Sequence, residues 1–354
     1  MDNSAPTRVS DEVLADLRRR LRSTRLVAAP GTGWNRGTDH NYLQELVRYW
    51  ANAYDWRPAE DRILALPWQR AGGMRVVRQR GPDSAPVVVL LHGWPDSVLR
   101  FERLLPLLTD LTVVVPALPG FPFADSPGSA GADMADPIAG ALSELGYDRY
   151  VVAGGDIGSS VADALARRQP EHVAALYLTD VPARLLATVP ESDLTDDDRS
   201  YRARAAEWQA TDGAYAAEQA TRPATLAVAL GDSPAGLAAW LIEKYREWSD
   251  CSGDVESVFP RDDLLTWITA YWVTASVGTS FAPYSERRAP VASRITAPAI
   301  VSMFPKEPMQ APRSTAERFL DVRVWDEPPR GGHFPAWEQP DAFASALRRA
   351  VALA

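Results

Sequence analysis

The run Val151-Val152-Ala153-Gly154-Gly155-Asp156-Ile157-Gly158-Ser159-Ser160 sets a carboxylate at the centre of a G-x-D-x-G motif. The apolar residues before it read as a strand, and Ser160 to Arg168 reads as a helix. A strand-to-helix turn of this kind holds its central residue on a strained backbone, and the glycines permit close approach there. A carboxylate that attacked an ester from this position would give an anhydride, which is a poor route. Attack on a saturated carbon gives an alkyl-enzyme ester that water can cleave. The substrate must then carry a displaceable group on sp³ carbon, as in an epoxide or an alkyl halide. The plain alternative is that Asp156 caps the following helix.

Three further groups complete such chemistry. His92-Gly93-Trp94-Pro95 follows the apolar run Pro86 to Leu91. In the α/β-hydrolase chain order this loop gives one backbone N–H to an oxyanion hole, here that of Trp94, and the residue after the nucleophile, Ile157, gives the other. These donors would hold the tetrahedral intermediate of ester hydrolysis. His92 orients the loop and is not the base. Of the four histidines, His333 in Arg330-Gly331-Gly332-His333-Phe334 falls after the last strand, where a general base for water belongs. Its carboxylate partner is expected at Glu307, just after the strand Pro298 to Ser302, with Asp180 as the other candidate.

The elements that must position these residues have a clear order. Residues 1–70 read as a helical segment, with Ser10 and Asp39 as candidate N-caps. Short apolar runs then alternate with helical stretches, at Pro86–Leu91, Thr112–Val115, Tyr150–Val152, Ala174–Leu178, Pro298–Ser302 and Val322–Trp325. This is the pattern of an α/β fold with a mostly parallel sheet flanked by helices. The core is expected over 71–182 and 291–354. The stretch 183–290 is helical in pattern and reads as a cap over the carboxyl edge of the sheet. It contains Trp208, Trp240, Trp248, Trp267 and Trp272.

Taken together, these residues resemble the microsomal-type epoxide hydrolases over nearly the whole chain. Gly33-Trp34, Tyr42-Leu43 and Tyr54-Asp55-Trp56-Arg57 are similar to that family's N-terminal domain. His92-Gly93-Trp94-Pro95, Gly154-Gly155-Asp156, Phe304-Pro305 and Arg330-Gly331-Gly332-His333-Phe334 are similar to its core. The resemblance implies two cap tyrosines that hold the epoxide oxygen. One is Tyr284, in Phe281-Ala282-Pro283-Tyr284, and the other is Tyr215, four residues before Gln219. It also implies an α/β-hydrolase fold. Two departures stand out. Ile157 replaces the tryptophan usual after the nucleophile, which keeps the N–H and makes the wall beside Asp156 smaller and aliphatic. The loop after Phe121-Pro122-Phe123-Ala124 is short, so wider access to the site is expected.

Composition narrows the class. The chain has 354 residues and a formal charge of −9, which disfavours nucleic-acid binding. The single cysteine, Cys251, cannot form an internal disulfide, Met1 to Val9 lack an apolar leader, and no run is long enough to anchor in a membrane. A cytoplasmic enzyme is expected. The expected partners are a small epoxide, apolar and bulky in keeping with the tryptophan-rich cap, and water. A homodimer is a mild expectation on general grounds. No metal or organic cofactor is expected. The alternatives are a haloalkane dehalogenase, an epoxide-opening cyclase, and an inactive binding protein of the same fold. Ile157 has no side-chain donor for a halide, and two tyrosines suit an oxygen leaving group.

Overall fold

The computed structural model describes residues 4–28, 30–291 and 293–354. Met1 to Asn3, the start of the stretch read as lacking a leader, lie outside the described residues. The N-terminal segment forms α1 (Asp11–Arg22), α2 (His40–Asn52) and α3 (Trp56–Leu64). Ser10 and Asp39 cap the first two, their side chains accepting from the N–H groups of Val13 and Tyr42. Leu14, Leu17 and Leu21 on α1 and Leu43, Leu46, Val47 and Trp50 on α2 are buried at helical spacing.

Eight strands form one sheet. They are β1 (Trp68–Ala71), β2 (Met74–Gln79), β3 (Val87–Leu91), β4 (Thr112–Pro116), β5 (Tyr150–Gly154), β6 (Val173–Leu178), β7 (Pro298–Ser302) and β8 (Asp321–Asp326). The order is β1-β2-β4-β3-β5-β6-β7-β8. The pairings β1–β2 and β2–β4 are antiparallel, and all others are parallel. The central strands β4, β5 and β6 are buried throughout, which is why their sequences are continuous apolar runs rather than alternating ones. The β1–β2 hairpin, not foreseen in the sequence, turns at Gly72 and Gly73 with φ of 58° and 74°. Such values come readily only to glycine.

β3 pairs with β4 on one side and β5 on the other, so the chain reverses its direction of travel across the sheet at β3. The loops leaving β3 and β5 are therefore neighbours at the carboxyl edge, where open α/β sheets bind ligands. Helices α4 (Ala135–Glu144) and α5 (Ile157–Arg168) flank β5. Between β6 and β7 the chain builds the cap from α6 (Asp196–Thr211), α7 (Ala214–Thr221), α8 (Pro223–Asp232), α9 (Pro234–Trp248), α10 (Arg261–Val273) and α11 (Ala282–Ser285). The N-terminal helices brace this cap. Arg20 donates to the carbonyl and carboxylate of Asp232, Tyr49 to Asp262, and the Tyr54 hydroxyl is hydrogen-bonded to that of Thr266 at 2.9 Å. The chain closes with α12 (Arg313–Phe319), α13 (Pro335–Glu338) and α14 (Pro340–Val351). Among the described residues no single helix is long and apolar enough to cross a membrane.

Candidate active site

Asp156 sits in the turn between β5 and α5 with φ 57° and ψ −124°, a backbone region that residues with a Cβ rarely occupy. Strain of this kind costs about 1–3 kcal/mol and persists only where the surroundings enforce it. The enforcement is visible. A Cβ on Gly158 would lie 2.3 Å from the Leu91 carbonyl oxygen, and one on Gly154 would lie 2.5 Å from that of Gly158. The turn is thus pressed against β3. Asp180, after β6, accepts from the Asp156 N–H at 3.2 Å. The Ser159 hydroxyl lies 2.7 Å from the Asp156 carbonyl and 3.2 Å from Asp180. Asp180 therefore fastens the elbow and leaves His333 to Glu307. Burial, with the charges of Glu307 and Asp156, pushes the Asp180 carboxyl up to about 7.

The oxyanion loop meets the Asp156 carboxylate directly. The Trp94 N–H donates to Asp156 Oδ1 at 2.8 Å. Burial raises the Asp156 pKa, while the His333 charge and the N–H groups of Trp94 and Ile157 oppose it. A Cβ at Gly93 would stand 2.5 Å from Asp156 Oδ1, so only glycine lets loop and carboxylate approach this closely. The loop is held from below. Asp96 accepts from the Gly93 N–H at 2.8 Å and pairs with the buried Arg100. Tyr271 and Tyr245 donate to the carbonyls of Asp96 and Pro95. His92 is fully buried, and its Nε2 accepts from the Leu118 N–H at 3.2 Å. It is spent on orienting the loop.

His333 approaches from β8's side of the sheet. Its Nδ1 lies 2.9 Å from Glu307 Oε2 and its Nε2 lies 3.9 Å from Asp156 Oδ2. Nε2 is buried and has no hydrogen-bond partner among the described residues. Burial pulls the imidazole pKa down, but Glu307 and then Asp156 overcome it and raise it to about 9. Arg100 also donates to the His333 carbonyl, tying the base loop to the oxyanion loop through one guanidinium.

The two tyrosines come down from the cap, Tyr215 on α7 and Tyr284 on α11. Tyr215 stacks on Trp94 with ring centroids 5.2 Å apart, and its ring meets that of Tyr284 edge-on at 5.9 Å. The Tyr284 hydroxyl is buried without a partner among the described residues. Burial raises both phenol pKa values far above the ordinary range, and the negative charge of Asp156 adds to this. Both phenols therefore stay protonated. Sequence reasoning missed Lys244 on α9. It is buried, and its ammonium stands 4.9 Å from the Tyr215 ring centroid and 5.9 Å from that of Trp248. No local spacing in the sequence marks it.

Asp156, Ile157, His333, Glu307, Tyr215 and Tyr284 all line one cavity of about 590 Å³ between cap and sheet. Trp94 lies beneath it, against both tyrosines. Of the five cap tryptophans only Trp208 and Trp248 reach this cavity. Trp267 packs instead with Phe259 and Trp337.

Comparison with known proteins identifies the family. The family described as "Epoxide hydrolase N terminus" matches residues 3–101, and that described as "alpha/beta hydrolase fold" matches residues 86–239. A Stigmatella aurantiaca protein provisionally named an epoxide hydrolase is 38% identical, over 96% of this chain and 82% of its own length. Epoxide hydrolase 1 of Sus scrofa is 27% identical, over 97% and 87%. The solved epoxide hydrolase of Aspergillus niger superposes with a TM-score of 0.86 at 28% identity, covering 99% of this chain and 96% of its own. The chain belongs to the epoxide hydrolase family, built on the α/β-hydrolase fold and carrying that family's N-terminal segment.

Proposed function

We propose that the chain converts an epoxide to a vicinal diol through an ester on Asp156. Tyr215 and Tyr284 donate hydrogen bonds to the epoxide oxygen while an Asp156 oxygen attacks a ring carbon from the opposite side. The C–O bond of the ring breaks, and the alkoxide takes a proton from a phenol. Removing the Asp156 charge also relaxes the charge that had raised the phenol pKa values, so proton release becomes easier as attack completes.

Hydrolysis follows. His333, oriented by Glu307, takes a proton from water as the water adds to the ester carbonyl. The N–H groups of Trp94 and Ile157 hold the developing oxyanion, each worth about 2.7–4 kcal/mol. Collapse expels the diol, whose leaving oxygen takes the proton of the added hydroxyl, and leaves one water oxygen in the Asp156 carboxylate; the proton taken by His333 returns to the phenolate and restores the phenol. The carrying observation is that one cavity holds a strained carboxylate, a buried phenol without a partner and a buried imidazole nitrogen without a partner. These are a nucleophile, a free donor and an imidazole nitrogen open to water. The body of the substrate is apolar, as Ile157, Trp208, Trp248 and Met309 on the walls require.

Single turnover in ¹⁸O-labelled water, with enzyme in excess over styrene oxide, tests this route. The heavy oxygen should enter the peptide containing Asp156 and be absent from the first diol released. Heavy oxygen in the first diol, with none in Asp156, means that water attacks the ring directly.

A further inference from the structure

Five arginines line the cavity: Arg167, Arg168, Arg184, Arg287 and Arg288. Three of them are neutralised. Arg167 pairs with Asp163 at 2.9 Å, Arg168 with Asp136 at 2.8 Å, and Arg288 with Asp133 at 2.7 Å. Arg184 and Arg287 have no carboxylate partner within ion-pair distance among the described residues. Arg184 donates only to the Ser160 hydroxyl, at 2.8 Å, on the first turn of α5 just beyond the nucleophile. Arg287 follows α11, and its guanidinium stands 5.6 Å from the Tyr284 ring centroid. The two are also within electrostatic reach of each other.

Two like charges beside one another repel, weakly where water reaches them, and an anion bound between them turns that repulsion into attraction. In a chain of net charge −9, carboxylates to pair them were plentiful. The cavity also has a polarity. Two carboxylates, Asp156 and the buried Glu307, lie at its inner end, whereas Arg184 and Arg287 are exposed at its rim. An anionic substrate group is repelled by the inner end and attracted by the outer one. That fixes the direction in which the molecule enters and presents the opposite, uncharged end to Asp156.

We propose that the substrate is an epoxide carrying an anionic group, a carboxylate or a phosphate, at a distance from the ring, and that Arg184 and Arg287 bind this group at the cavity rim. This rests on the covalent route proposed above. The guanidinium fork matches carboxylate and phosphate oxygens in pairs, and such charge-assisted bonds are about twice as strong as neutral ones. The apolar walls then take the chain between the anion and the ring.

The test compares kcat/KM for a medium-chain fatty acid with a terminal epoxide, its methyl ester, the corresponding epoxyalkyl phosphate and styrene oxide. The anionic compounds should exceed the methyl ester by about 100-fold, taking about tenfold for each arginine. The larger of the two anionic values identifies the group. The advantage should shrink as ionic strength rises. In the R184Q/R287Q double variant the ratio of acid to ester should fall to near one, with the far-ultraviolet circular dichroism unchanged. An ester turned over as well as the acid by the unaltered protein overturns the inference, and so does a ratio that survives the double variant. Styrene oxide separates the two readings, since it needs no arginine. If it yields diol through Asp156 and the acid has no advantage, only the anionic substrate fails. If none of the four yields diol, the covalent reading fails and this one with it.

Discussion

Replacing Asp156 by asparagine should change how His333 binds protons, and the size of the change follows from the geometry. The amide is a neutral stand-in for the alkyl ester, similar in shape and without charge. In the resting site His333 Nε2 lies 3.9 Å from an Asp156 carboxylate oxygen, and the imidazole pKa is raised to about 9. A unit-charge pair at that separation is worth about 4 kcal/mol at the effective dielectric of about 20 suited to buried sites. Deleting the charge therefore weakens proton binding by up to roughly a thousandfold, at 1.36 kcal/mol per tenfold. That returns His333 to the ordinary imidazole range even with Glu307 still beside it. The sign matters for turnover. Below about 9 the resting imidazole is protonated and cannot serve as a base; on the proposed route, esterification of Asp156 would free it as the ester needs hydrolysing. The assay is NMR titration of the imidazoles, of which the chain has only four. His333 should titrate near 9 in the unaltered protein and at least tenfold more weakly in D156N. His333 titrating at the same pH in both proteins would refute the electrostatic coupling between nucleophile and base.

Two further variants separate the half-reactions. E307Q removes the carboxylate 2.9 Å from Nδ1, so steady-state kcat should fall by about 10²–10⁴-fold while the burst of alkylation persists, as rapid-quench measurement would detect. Loss of the burst along with kcat would mean that Glu307 serves the fold or the first step. Y284F removes the buried, unpartnered hydroxyl, and should slow alkylation by about 100-fold with no loss of thermal stability. Unchanged alkylation would assign the oxygen to Tyr215 alone.

The parts of the site that lie on local signals were readable before any coordinates. Asp156, Trp94, Glu307 and His333 each follow a strand, and the cavity gathers Asp156, Glu307 and His333 because β5, β7 and β8 lie within one four-strand stretch of the sheet, while the cap brings Tyr215 and Tyr284. Sequence favoured Glu307 but kept Asp180 as the other candidate, because both follow a strand of the same sheet. Distance separates them: Glu307 reaches His333, and Asp180 reaches the Asp156 N–H. The β1–β2 hairpin was missed because Gln69 and Arg70 break the apolar pattern of an edge strand, although Gly72-Gly73 was a usable turn signal. Arg100 and Lys244 were invisible for a different reason. Their partners, His333 and Tyr215, are brought to them by packing across the cap and sheet, and no local spacing encodes it. The tryptophans of the cap suggested an apolar substrate. Packing sends only Trp208 and Trp248 to the cavity and adds arginines from α5, the β6 loop and the segment after α11.

The most direct measurement is an intact mass spectrum of H333A after exposure to styrene oxide. With the base removed and Asp156 intact, alkylation should proceed and hydrolysis should stall. The protein should gain the mass of one epoxide molecule, with the adduct mapped to the peptide containing Asp156. An unaltered enzyme that makes diol beside an H333A variant that gains no mass would contradict the covalent route.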